Sequence, residues 1–278
     1  MSSLDQTIGH VIYTHNRLND ARINMELSRL LWASHPEVVG VNVVHAYNGK
    51  EEFGYEQYIE NSLLIRENIG HFRGAIDLIN TGIDEISQSD AKYAVITASD
   101  TWITDSDWIV NLIKKMRDEG KVIACSAWGT DRGESLNKVG MSLDFFILDL
   151  EWNKESKLFP INYLKYLDKY QATNFALGGG VLVPERALSF YFIKYWSQYY
   201  TDNDLSKVCK DKILRILERE PIHDIKWKRK MNWPGLGIYT DHDTAMKRRV
   251  INELSKTKNL GPYCQKLIAG EIDLNVSY

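Results

Sequence analysis

Between residues 9 and 127, short apolar runs rich in β-branched residues alternate with stretches whose apolar residues recur every three or four positions. This alternation narrows the fold sharply. Each strand is followed by a helix that must cover a sheet face, which gives βα units, right-handed crossovers and a mostly parallel central sheet flanked by helices. Residues 9 to 13 form the first strand, Asn19-Asp20 offer an N-cap, and Ile23, Leu27, Leu30 and Leu31 stripe the helix that follows, closed by Pro36. "VVGVNVVHAYNG" reads as a second strand ending in an Asn-Gly turn, and "SLLIRENIG" as a third. A helix over 70–86 carries Ile76, Ile79, Ile83 and Ile86 on one face, a fourth strand spans 93–98, and another helix carries Trp108, Ile109, Leu112, Ile113 and Met116. "KVIACSAW" is a fifth strand. The second half is different in kind, with "MSLDFFILDLEW", a glycine triplet and further helical stretches. With no internal repeat, low-complexity segment or linker, the expectation is one α/β domain over 1–278 with an elaborated C-terminal half.

Composition excludes several functions. A net charge of -3 points neither to nucleic acid nor to an anionic membrane surface, and the basic clusters "KWKRK" and "KRR" are short enough to be solvated faces. The three cysteines, Cys125, Cys209 and Cys264, stand far apart with no CxxC spacing, which fits a reducing compartment better than a disulfide framework or a zinc knuckle. The N-terminus has no basic start and apolar core of a signal peptide, and no apolar run approaches the ~18 residues of a membrane span. A soluble, cytoplasmic protein without a transmembrane segment is expected.

In open parallel sheets, ligands gather at the carboxyl ends of the strands. Here those ends are polar: Thr14-His15-Asn16-Arg17 after strand one, Asn48 after strand two, and Ser99-Asp100 after strand four. Between them lies "RENIGHFRGAIDLINTGI", residues 66–83, with Asn68, Gly70, Gly74, Asn80 and Gly82 along a loop-to-helix transition. Glycine within a helix costs about 1 kcal/mol relative to alanine, so Gly74 and Gly82 call for close approach to a neighbour or a ligand. Arg17, Arg66 and Arg73 are the available cations for an anionic ligand, and Asn16 and Asn48 can donate and accept together.

The order and spacing of these three segments resemble the nucleotide-sugar-binding half of GT-A-fold glycosyltransferases, with a family 2-like donor half over roughly residues 8–130. The resemblance implies a GT-A-like fold, a nucleotide-diphosphate-sugar donor, a glycan or other hydroxyl acceptor, and a divalent cation, Mn²⁺ or Mg²⁺. It assigns donor contacts to Thr14, His15, Asn16, Arg17, Asn48, Arg66, Asn68, Gly70, Arg73, Ser99 and Asp100, with His15 and His71 as loop histidines near the donor. One departure is plain: where the family has Asp-x-Asp, this chain reads Ala98-Ser99-Asp100. Asp100 then either ligates the metal alone, since magnesium is often held by one carboxylate plus substrate phosphates, or contacts the ribose of a donor bound without metal. Thr104-Asp105-Ser106-Asp107 fit helix capping.

In the second half, residues 131–278, the resemblance implies an acceptor-binding region. Gly178, Gly179 and Gly180 of "LGGGVLVP" form either an acceptor platform or a tight turn. Asp204, Asp202 and Asp211 are candidates for the base that deprotonates the acceptor hydroxyl, Asp202 and Asp204 equally for an N-cap. Thr240 and Asp243 fit a capping box; His242, which capping does not explain, is a second metal candidate beside Asp100, and Lys247 and Arg248 are possible diphosphate partners. Trp152, Tyr163, Tyr166, Trp196, Trp227 and Trp233 serve either the core or sugar stacking.

The resemblance implies a glycosyltransferase, and by resemblance alone a setting in polysaccharide or glycan synthesis. A sugar nucleotidyltransferase would open with a glycine-rich loop after strand one, and "YTHNRLND" has no glycine. A non-catalytic binding or scaffold protein that kept the fold and lost the metal motif is the alternative from another class.

Overall fold

The computed structural model describes residues 3–49, 63–69, 71–125, 143–162, 212–215, 231–233, 238–240 and 244–274. Its frame is a seven-stranded sheet in the order β3-β2-β1-β4-β7-β6-β8. The strands are β1 (Gln6–Thr14), β2 (Val38–Tyr47), β3 (Leu63–Ile65), β4 (Tyr93–Ala98), β6 (Ile123–Cys125), β7 (Phe145–Asp149) and β8 (Ile213–Arg215). β1 pairs in parallel with β2 and with β4, β2 with β3, and β6 with β8. β7 runs against both its neighbours, β4 and β6, and is the reversed strand of the sheet. The mostly parallel α/β sheet anticipated from the alternation is present, and "FFILD" of the second half supplies the strand between β4 and β6.

Burial on both faces explains the continuous apolar character of the central strands. β4, "YAVITA", is buried at every residue. On one face lie α1 (Leu18–Leu27), α3 (Ser106–Asp118) and the paired helices α5 (Thr244–Ser255) and α6 (Pro262–Ala269). Their side chains form one core with Ile8, Val95, Phe145 and Ile147, including Ile23, Leu27, Ile113, Met116, Ile251 and Leu267. Each such burial contributes roughly 1.5–3 kcal/mol. α2 (His71–Ile86) packs on the opposite face, and Phe146 stacks on Phe159 beyond the short helix α4 (Leu150–Ser156).

Both ends of α1 differ from expectation. Asn19 and Asp20 are not the N-cap of α1; Arg17 holds that position without a side-chain cap, and Asp20 is turned into the protein at 1% exposure because it has a buried cation to meet. At its other end α1 passes into a π-helical turn, Ser28–Trp32, closed by the Ala33 N–H to Ser28 O bond. The wider turn moves the phase of the stripe, so that Trp32 is buried and Leu30 only partly so. Asp105 does cap α3, its Oδ1 accepting from the N–H groups of Asp107 and Trp108 at 3.0 and 3.2 Å.

The glycines of α2 have a packing reason. A Cβ at Gly82 would collide with the Val11 side chain, and one at Gly74 would stand 2.7 Å from Asn48 Nδ2. Both are places where the helix touches the sheet or the segment after it, a neighbour rather than open space. Gly82→Ala should therefore lower stability by about 1–3 kcal/mol despite the better helix propensity of alanine; urea unfolding of the variant checks this, and a gain in stability would refute the packing account.

Candidate functional site

Parallel pairing in register sets the carboxyl ends of β1, β2 and β4 side by side, with Thr14 opposite Tyr47 and Tyr13 opposite Ala98. Main-chain bonds then tie together the segments that follow. Asn48 N donates to Thr14 O at 3.3 Å, Ser99 N to Tyr13 O at 3.1 Å, and Arg66 N to Tyr47 O at 2.8 Å. His15 Nδ1 lies 3.0 Å from Asn48 Oδ1, a geometry in which Nδ1 carries the proton, since the amide oxygen only accepts. His15 and Asn16 are exposed on this edge, and Thr14, Asn48, Ser99 and Asp100 are buried beneath it.

Of the sequence candidates, the fold thus brings together Thr14, His15, Asn16, Arg17, Asn48, Ser99 and Asp100. Asn68 and Arg73 are exposed on the approach to α2 and its first turn. Arg66 makes a two-pronged ion pair with Asp77 of α2, Nε to Oδ2 at 2.9 Å and Nη2 to Oδ1 at 3.1 Å, which holds its guanidinium above the usual range. Asn80 is occupied structurally: its amide exchanges two hydrogen bonds with the Ile161 backbone. Gly70, Gly178, Gly179, Gly180, Asp202, Asp204, Asp211 and His242 lie outside the described residues, as do the Asp243 side of the proposed capping box and Cys209. Tyr163, Tyr166, Trp196 and Trp227 lie outside them too; Trp152 is partly buried, its main-chain N–H donating to Asp149 Oδ1, and for His71 and Trp233 only the backbone is described.

β4 does not end in a free loop. After the Ser99-Asp100 turn the chain enters β5 (Thr101–Ile103), the edge of a second, antiparallel sheet with β10 (Ile238–Thr240) and β9 (Met231–Trp233). Thr101 pairs with Thr240. The turn is held from below by α1: Asn24 Nδ2 donates to Thr101 O at 2.9 Å and to Thr97 Oγ1 at 3.1 Å.

A buried charge cluster adjoins the turn. Lys247 of α5, with no exposed surface, donates from Nζ to Asp20 Oδ1 and to Asp100 O, each at 2.6 Å, and lies 4.0 Å above the Trp102 ring centroid. Trp102 Nε1 donates to Asp20 O at 3.2 Å. The other oxygen of Asp20, Oδ2, takes Arg17 Nη1 at 3.0 Å, and Arg17 Nε stands 3.8 Å from Asp100 Oδ2. Burial raises the Asp20 carboxyl, with Lys247 and Arg17 opposing and Asp100 adding to the shift. The Lys247 ammonium is thus enclosed within the protein. Arg248 turns elsewhere, its Nε donating to Leu267 O at the end of α6 at 2.8 Å.

Asn24 and Trp102 are not singled out by the sequence, and Asp20 only as a helix cap. A signal was there: Asp20 and Asn24 fall in the same helical register as Ile23, Leu27 and Leu31, so polar side chains stand on the buried face.

Among the described residues, no three or more His, Cys, Asp or Glu side chains converge as a metal cage. Asp100 is the one carboxylate of the strand-end turn, its side chain 12% exposed, which fits a cation that draws its other ligands from phosphate oxygens and water. Cys125 and Cys264 are both buried. None of the helices among the described residues is long and apolar enough to cross a membrane.

No protein-family model matches this chain, and no curated protein matches it in sequence. Solved structures give weak likenesses. S. aureus TarS 1-349 is similar at 9% identity and a TM-score of 0.46, over 95% of this chain and 69% of that one. The mannosyltransferase PcManGT from Pyrobaculum calidifontis, in complex with GDP-Man and Mn²⁺, is similar at 10% identity and a TM-score of 0.42, over 95% and 68%. The WbbM bifunctional glycosyltransferase, in its apo structure, aligns at 11% identity and a TM-score of 0.37 over 57% of this chain. The chain spans 34% of the length of WbbM and 30% of that of a longer TarS structure. Values this low carry neither a residue nor a ligand across to this protein.

Two histidines are buried in the sheet beneath the site. His10 sits against Trp32 with Nε2 2.9 Å from Thr97 Oγ1, and His45 has Nε2 2.9 Å from Thr14 Oγ1. Burial lowers both to about 3, for His45 with a further contribution from Arg22. The unfolded chain takes up these protons near pH 6.5, so their contribution to stability is complete above that pH and is lost as pH falls toward 3. Between those limits the wild type should lose about 1.4 kcal/mol per pH unit more than His10→Leu. Denaturant unfolding at a series of pH values reads this, and parallel curves would mean that His10 titrates normally.

Proposed function

We propose that this chain is a GT-A-like glycosyltransferase that binds a nucleotide-diphosphate-sugar at the carboxyl edge of β1, β2 and β4 and transfers the sugar to an acceptor hydroxyl. The observation that supports this most is the convergence of Thr14-His15-Asn16-Arg17, Asn48 and Ser99-Asp100 on one edge, from three strands distant in sequence. Asn16, His15 and Asn48 offer the mixed donors and acceptors that a base or ribose requires, and Arg17 offers a planar cation to phosphate. Arg73 and Asn68, exposed nearby in sequence on α2 and its approach, extend the donor contacts in this reading.

Asp100 would be the protein carboxylate for Mn²⁺ or Mg²⁺, with His242 as a further ligand; Thr240, just before it in the chain, pairs with Thr101, the residue after Asp100. When bound, the cation would neutralise charge on the leaving diphosphate. The protein's own contribution is orientation of the donor and a fixed positive field from Arg17 on the departing phosphates. Asp204, Asp202 or Asp211 would accept the proton of the acceptor hydroxyl, and Gly178, Gly179 and Gly180 would let the acceptor approach the backbone. Use in polysaccharide or glycan synthesis within the cytoplasm completes the proposal.

A second reading, a donor-binding protein without turnover, is favoured by Ala98, which is buried at 8% exposure where a metal-ligating carboxylate would stand. Thermal melting with UDP, GDP, ADP, CDP and dTDP and their sugars, with and without Mn²⁺, tests the site. A ligand at 100 times its Kd should add about 2.7 kcal/mol. Stabilisation by one nucleotide, dependent on Mn²⁺ and lost in Asp100→Ala, is the expected result. No response to any nucleotide would sink the donor-site reading, and binding without sugar release would leave the non-catalytic one.

A further inference from the structure

Lys247 and Asp20 are separated by 227 positions in sequence and meet at 2.6 Å with 0% and 1% of their side chains exposed. Two fully buried charges are a poor way to hold a helix down, because desolvation offsets most of their attraction and apolar residues of the same volume serve as well. What apolar residues cannot do is direct other polar groups. Asp20 divides its two oxygens between Lys247 and Arg17, and Lys247 divides its protons between Asp20 and the carbonyl of Asp100. Arg17 and Asp100 both stand on the strand-end edge, and their facing atoms are 3.8 Å apart.

We infer that Lys247 and Asp20 form a buried positioning pair that sets the Arg17 guanidinium and the Asp100 main chain for a diphosphate-bearing ligand without touching that ligand. The inference rests on the donor-site reading above. It gives Lys247 a role other than direct contact with phosphate: its ammonium is surrounded by Asp20, the Asp100 carbonyl and the Trp102 ring. It also makes α5 part of the site although α5 follows the strand-end segments by more than half the chain.

The test separates positioning from simple stabilisation. Lys247→Met leaves a buried carboxylate beside a missing partner, so both stability and ligand affinity should fall. The double variant Asp20→Asn/Lys247→Met removes the uncompensated charge and should regain much of the stability. If the pair positions the site, affinity for the nucleoside diphosphate that stabilises the wild type, from the UDP, GDP, ADP, CDP and dTDP panel, stays at least tenfold weaker by calorimetry in the restored protein. Affinity that recovers together with stability would overturn the inference and leave the donor-site reading intact. A wild type that binds none of the five would overturn both. Should the double variant not fold, Asp20→Asn alone decides: its amide oxygen can still accept from Lys247, while its NH₂ faces Arg17 and cannot accept. A tenfold loss of affinity in that variant, with an unchanged near-ultraviolet circular dichroism spectrum, supports positioning, and unchanged affinity overturns it.

Discussion

Parallel pairing of β1 with both β2 and β4 obliges the chain to leave the sheet and return between each pair of neighbours, and it lines up three carboxyl ends on one edge. Most of the structure answers to that requirement. α1 and α2 are the returns, on opposite faces, and their small or polar residues are where they must fit closely: Gly82 against Val11, Gly74 against Asn48, and Asn24 under the β4–β5 turn. The reversed strand β7 fills the sheet beyond β4 without adding a further carboxyl end to that edge.

The polar groups within this frame form a sequence of linked bonds rather than scattered pairs. His10 meets Thr97, Thr97 meets Asn24, and Asn24 meets the Thr101 carbonyl, so the sheet interior is connected to the turn that carries Asp100. Buried polar groups demand partners with defined geometry, whereas apolar contacts tolerate sliding. A turn built this way has little freedom to relocate its carboxylate.

The alternation of apolar runs made the parallel sheet legible, and the polar residues at the strand ends made its ligand edge legible, because both patterns are local. β4 is bounded to the residue by its apolar run, and a cap within Thr104 to Asp107 follows from side-chain chemistry, although only the structure assigns it to Asp105. The reversal of β7 was not legible, since an apolar pentapeptide has no direction until its partners are known. Asp20 illustrates the same limit. At the start of a helix an aspartate looks like a cap, and only Lys247, far along the chain, reveals it as half of a buried ion pair. Lys247 looked equally like a phosphate ligand, because a basic helix after an acidic segment reads the same whether its ammonium faces solvent or the core.

α1 also carries Glu26, whose two oxygens accept the N–H groups of Tyr263 and Cys264 at 2.9 Å each, at the N-terminal turn of α6. Gly261 makes room, since a Cβ there would stand 2.5 Å from the Glu26 carboxyl carbon. A single helix thus presents Asp20 to α5 and Glu26 to α6. A fragment ending before Thr244 would keep every strand end of the site and leave both carboxylates facing a bared apolar core. Loss of one partner from a buried charge pair is worth on the order of 3–5 kcal/mol, a large part of the stability of an ordinary domain. For anyone cutting this gene into modules, the strand-end edge and the last two helices are a single unit of inheritance: recombination that exchanges one without the other brings together surfaces whose charges have no counterpart.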